Sequence, residues 1–191
     1  IWNDIQDSKT GDAKTEIVQL LELLKIDNEF AEAHFRLAQA YDSLDQFESA
    51  RRHYLLAKDT DVCPLRMLES MHELLRDVAS KSNTPLLDVR AIFEDRAPQG
   101  IPGDELLLDH VHPSIFGHQK IAQLIAEEMI NRSIFKANSN WESARITAFE
   151  QHLESLSFMY FQRGKDRLRG LKRWAGGKVT REKGEPLKPI D

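Results

Sequence analysis

Cysteine is nearly absent: Cys63 is the only one in 191 residues. That excludes an internal disulfide framework and a zinc site built from several thiolates, and leaves Cys63 as a small apolar residue. Long apolar runs are also lacking. None approaches the roughly 18 residues that a membrane-spanning helix needs. A chain that is 30% charged and 41% hydrophobic is instead equipped for a water-facing surface around a core. No signal-peptide pattern follows Ile1. Because the first residue is Ile1 and not Met, the chain is read as a piece of something longer, and its localisation is left open.

Charge of one sign is scarce only locally. The net charge is −5, yet from Arg163 to Asp191 ten Lys/Arg stand against four Asp/Glu, or +6. The remainder is −11, which argues against a nucleic-acid partner for the whole chain. Residues 178–191 read as a basic, disordered tail. Contact of the basic end with an acidic partner or a membrane surface is the lesser alternative to a solvated helix face.

Helical periodicity dominates the front. In "AEAHFRLAQAYDSLDQFESARRHYLLAKDTDV", apolar residues recur at Phe35, Leu37, Ala38, Tyr41 and Leu44, then at Phe47, Ala50, Tyr54 and Ala57. Asp45-Gln46 interrupts them as a polar turn, so the spacing predicts a two-helix hairpin. Ala38 and Ala50 are small where the helices meet, and Phe47 and Tyr54 are expected to fill the gap between them. One period upstream, Gly11-Asp12 stands at a turn and residues 13–26 read as another helix. This pattern resembles a tetratricopeptide repeat, with Leu37, Ala38, Tyr41, Phe47, Ala50, Tyr54 and Ala57 on its characteristic positions. His34 replaces the usual Trp and Asp45 the usual Gly. Residues 1–62 are assigned to such repeats, the first truncated. The resemblance implies a protein or peptide partner held by the repeat helices.

After Pro64 the pattern changes. "LRMLESMHELLRDVASKSN" reads as an amphipathic helix and "TPLLDV" as a short buried strand, the helix-strand unit of a parallel sheet. A loop broken by Pro98, Gly100, Pro102 and Gly103 then delivers "LLLDHVHPSIFGHQKIAQLIAEEM". Asp109 and His112 are three residues apart, so one turn brings the carboxylate to a ring nitrogen. There it would orient the imidazole and stabilise its protonated form. Ser114 is placed to cap the following helix. Two other readings stand beside a catalytic pair: a polar loop that merely caps a helix, and a metal site drawn from Asp109, His110, His112 and His118.

This block resembles the last conserved block of SGNH (GDSL-type) hydrolases: Asp, two residues, His-Pro, then Gly opening the final helix. The resemblance implies an α/β class for a predominantly helical fragment, with helical hairpins followed by the C-terminal part of a flavodoxin-like hydrolase domain at residues 63–138. It implies Asp109 and His112 as acid and base of a Ser-His-Asp triad, an ester substrate of unknown class, and no cofactor or metal. No Gly-Asp-Ser nucleophile block occurs in the chain. The serine is accordingly expected before Ile1, with the repeats inserted between the two halves of the hydrolase domain. The alternative is a repeat-based binding module whose hydrolase half does no chemistry. Residues 139–177 read as a further helical hairpin, with Leu153, Leu156, Tyr160, Leu168, Leu171 and Trp174 as its stripe, a turn at Arg163-Gly164 and a stop at Gly176-Gly177.

Overall fold

The computed structural model describes Trp2 and residues 12–175. Gly11, the Gly176-Gly177 stop, the 178–191 tail and the side chain of Trp174 lie outside the described residues. Among the described residues 69% are helical, and there is no strand and no sheet. It is an all-α structure, which corrects the α/β class and the parallel strand expected from "TPLLDV". Residues 84–88 form neither helix nor strand. They run from the end of one helix to Asp88, whose carboxylate caps the next by accepting from the Ala91 N–H at 3.0 Å. A strand exists through ladder hydrogen bonds to a neighbour, and no described segment supplies one. Leu86 is exposed where a sheet strand would bury it.

Among the described residues the delimited α-helices follow in order: α1 (Ala13–Ile26), α2 (Ala31–Asp42), α3 (Phe47–Asp59), α4 (Glu69–Lys81), α5 (Val89–Arg96), α6 (Ile115–Asn131), α7 (Trp141–Ser155) and α8 (Phe158–Ala175). Contacts divide the chain into two compact units, one up to Ile125 and one from Ala126. In the first unit α1 packs on α2 and α2 on α3. Asp12 starts α1 by accepting from the backbone N–H groups of Lys14 and Thr15. The core here is Leu20, Leu23, Leu24, Ala33 and Leu37, with Trp2, Ile17, Phe30 and Tyr41 against its edge.

Between α2 and α3 the seam is made of alanine. Ala38 and Ala50 are fully buried, and Ala57 is nearly so. Phe47 and Tyr54, expected inside the hairpin, are only half-buried. With alanines on the seam the helices approach closely, and the large rings are pushed to its rim. There Tyr54 meets Phe35 at 5.8 Å between ring centroids. Its hydroxyl donates to Asp42 at 3.3 Å, and burial together with that carboxylate pushes the phenol up to about 12. Asp45, standing at the glycine position of the repeat pattern, takes φ 56, the left-handed region that closes the turn. Substituting Ala50→Leu should overpack the seam and cost about 1–3 kcal/mol, read as a lower urea midpoint. A neutral result would contradict the close approach.

His34, at the Trp position, is 5% exposed and tied at both nitrogens. Its Nε2 donates to the Asn28 carbonyl at 3.0 Å, and its Nδ1 lies 3.0 Å from Nδ1 of His53. One hydrogen between the two Nδ1 atoms satisfies both rings. Desolvation, with the charges of His34 and Arg52, holds His53 down at about 4. The unfolded chain therefore binds a proton at His53 near pH 6.5 that the fold refuses until about pH 4. The denaturation midpoint should fall as the pH drops through that window. His53→Gln should flatten the dependence, measured by urea titration at neutral and mildly acidic pH; an unchanged slope would contradict the withheld proton at His53.

An ion-pair chain links α3 to α4 and α5. Arg51 reaches Glu94 at 2.7 Å, Glu94 holds Arg90 at 2.6 Å, Arg90 holds Glu69 at 2.8 Å, and Glu69 also binds Lys58. A second small core forms from Phe93, Ala97 and Leu106, with Val89, Leu107 and Ile121 packed on it. It anchors the loop that carries Asp109.

In the unit from Ala126, the expected turn at Arg163-Gly164 is instead inside α8. The break falls at Leu156 and Ser157, where Leu156 is extended and Ser157 Oγ accepts from the Tyr160 N–H. A glycine in an exposed helix costs only about 1 kcal/mol, too little to end a helix supported on both sides.

Candidate active site

The loop is closed at its base before any functional side chain enters it. Ser114 N–H donates to the Leu106 carbonyl and Leu108 N–H to the His112 carbonyl, both at 2.8 Å. Leu107 and Pro113 form an isolated antiparallel bridge. Leu106, 5% exposed, plugs the loop into the second core. Ser114 Oγ donates to the Glu105 carbonyl at 2.7 Å and accepts from the Gly117 N–H at 2.9 Å. It caps the first turn of α6, and both its hydrogen-bonding roles are taken.

Inside this clamp the chain turns around Asp109. Its Oδ1 accepts from the backbone N–H groups of Val111 and His112, each at 2.8 Å. Its Oδ2 lies 2.8 Å from Nδ1 of His112. The Asp109 side chain is 9% exposed, whereas that of His112 is 67% exposed. Desolvation pushes the Asp109 carboxyl upward. The two backbone amides and the His112 ring outweigh it and hold the group at about 2. An ionised carboxylate only accepts, so His112 Nδ1 carries the hydrogen, and in the neutral ring Nε2 is the nitrogen left with a lone pair. The result is an oriented base on an exposed ring.

The contact between Asp109 and His112 that the spacing predicts is present. His110 is half-buried and His118 is exposed on the first turn of α6, and neither bonds to Asp109. Among the described residues no group of three or more His, Cys, Asp or Glu is placed to hold a metal ion, so the four-residue metal alternative is not assembled. Nor does any described hydroxyl or thiol bond to His112, whose ring has Asp109 as its partner. A shallow hollow between Met67, Leu75, Leu86 and Leu87, with Arg76 and Arg90 on its wall, does not include Asp109 or His112. Sequence reading missed the supports of the loop, the Glu105 and Leu106 carbonyls. Backbone acceptors carry no side-chain signal, and only the serine at position 114 hints at one of them.

Compared with known proteins, the chain matches no family model, no curated protein and no solved structure.

Proposed function

We propose that Asp109 and His112 are the orienting acid and general base of a serine-type ester hydrolase resembling the SGNH group. One observation carries the reading: a nearly buried, ionised carboxylate holds one nitrogen of an exposed imidazole by a 2.8 Å bond and leaves the other without a side-chain partner. In this role Nε2 takes a proton from an attacking hydroxyl and returns it to the leaving alcohol, and Asp109 stabilises the imidazolium between the two steps. A merely capping loop needs Ser114, which already supports α6, and has no use for an imidazole clamped at one nitrogen. On this reading the nucleophile comes from outside the described residues, because no described hydroxyl bonds to His112 and Ser114 is committed on both sides of its oxygen. The substrate is an ester of open class.

The test is a serine-directed fluorophosphonate probe applied to the full-length protein. Labelling should be rapid and should collapse in His112→Ala, because the serine is then no longer deprotonated. Labelling unchanged by His112→Ala would sink the proposal.

A second reading, a repeat-like binding module with a non-catalytic hydrolase half, draws on the lack of a described hydroxyl at His112. On that reading α1, α2 and α3 hold a protein or peptide partner, and the full-length protein does not label at all.

A further inference from the structure

Leu107 and Pro113 are bridge partners, so the next pair toward the turn is Leu108 and His112, joined by the Leu108 N–H and the His112 carbonyl at 2.8 Å. Residues directly opposite each other in an antiparallel pair share a face, with Cβ atoms about 4.5–5.5 Å apart. Successive residues face opposite ways. Leu107 and Pro113 take the inner face: Leu107 packs on the second core, and Pro113 Cβ lies 3.1 Å from where a side chain at Gly117 would start. Leu108 and His112 therefore stand side by side on the outer face, where Leu108 is 40% exposed and the His112 side chain 67%. An exposed leucine is ordinary by itself. What sets this one apart is its place against the exposed ring.

The surrounding sequence carries charge of one sign only. Between Arg96 and Lys120 there is no lysine or arginine, whereas Asp104, Glu105 and Asp109 are acids. From residue 108 to 116 the single acid is Asp109, whose carboxylate is turned onto the loop's own amides and the His112 ring. Val111, Ile115 and Phe116 in the same stretch are exposed and apolar, and Lys120 lies over the Phe116 ring. No cation of this stretch stands ready to pair an anion at His112.

The chemistry of ester cleavage decides which half of a substrate meets Leu108. On the reading of His112 as the base, Nε2 takes the proton of the attacking hydroxyl. The bond between the acyl carbon and the alcohol oxygen then breaks, its electron pair stays on that oxygen, and the oxygen takes the proton from Nε2. Water next attacks the acyl group and gives a proton to Nε2, and the nucleophile's oxygen takes that proton back as the acid leaves. The departing alcohol must therefore bring its oxygen within about 2.6–3.2 Å of Nε2. The carbons attached to that oxygen come within reach of a side chain seated beside the ring. We propose that Leu108 is a specificity residue for the alcohol half of the ester, and that this half is neutral and apolar. The proposal rests on the reading of His112 as the base.

The experiment measures kcat/KM of the full-length protein for three acetate esters that differ only in their alcohol: hexyl acetate, glyceryl monoacetate and 6-acetoxyhexanoate. All three release acetate, followed by pH-stat. Hexyl acetate should be favoured over each of the others by on the order of 10-fold or more, although the polyol is the better leaving group. Leu108→Lys, at an exposed position, should erase the preference over 6-acetoxyhexanoate, because a cation beside the ring attracts its carboxylate. The readout is a ratio, so a general loss of activity cancels. Because the unaltered protein is itself compared on three esters, the result does not depend on the variant folding. Equal kcat/KM for the three esters, with turnover lost in His112→Ala, would overturn the proposal and leave the base reading standing. Turnover of hexyl acetate indifferent to His112→Ala, or turnover of none of the three, would overturn both. A preference for hexyl acetate that Leu108→Lys leaves unchanged would overturn the role of Leu108.

Discussion

Gly117→Ala is expected to destabilise the protein by about 2–3 kcal/mol, although alanine is the better helix former. At an open helix position the exchange gains up to about 1 kcal/mol. At Gly117 a Cβ would stand 2.3 Å from the Leu106 carbonyl oxygen and 3.1 Å from Pro113 Cβ. The carbonyl cannot yield cheaply. It accepts the Ser114 N–H at 2.8 Å and belongs to Leu106, which is buried in the second core. Relief of the clash must open the base of the loop or lift α6, and either move releases the turn that holds His112 on Asp109. Gly164→Ala is the control, since nothing lies within 4 Å of the added carbon there; it should be neutral or slightly stabilising. Urea denaturation of the two variants side by side reads the difference, and a stabilised Gly117→Ala would mean that loop and helix do not touch as described.

The second large effect is on turnover. In the full-length protein, His112→Ala should lower ester hydrolysis by on the order of 10³-fold or more. Asp109→Asn should cost about as much, on the order of 10⁴-fold where the tautomer is lost. The second expectation separates catalysis from scaffolding. An asparagine oxygen can still accept from the Val111 and His112 backbone amides, so the turn should survive. The amide cannot stabilise an imidazolium as a carboxylate held near 2 does. Circular dichroism like that of the parent with activity lost is the expected combination. Lost structure together with lost activity would assign Asp109 to the turn alone.

The features that can be read in the sequence are the local ones. Helical periodicity marks α1, α2 and α3, because the 3.6-residue repeat of apolar side chains is a property of the chain itself. The contact between Asp109 and His112 and the capping by Ser114 span three residues each, so spacing suffices to propose them. The segment at 84–88 shows the opposite case. Its composition suits a strand, but a strand is defined by a partner, and no sequence-local feature says whether one exists. Gly164 was expected to mark a turn, yet its cost is small beside the support of the flanking turns, and the chain breaks at Leu156 instead. The part-buried pair of His34 and His53 joins residues 19 apart, and Arg51 reaches Glu94 across 43. Such pairings follow from how helices stack, and composition does not announce them.

The most direct measurement compares hydrolysis of 4-nitrophenyl acetate by four proteins: the 191-residue chain, its His112→Ala variant, the full-length protein and its His112→Ala variant. If Asp109 and His112 form a base that serves a nucleophile elsewhere, the full-length protein turns over and loses that activity in His112→Ala. The 191-residue chain then shows no rate above its own His112→Ala variant. A full-length protein indifferent to His112→Ala would contradict the catalytic role. Turnover by the 191 residues alone, lost in His112→Ala, would contradict the placement of the nucleophile.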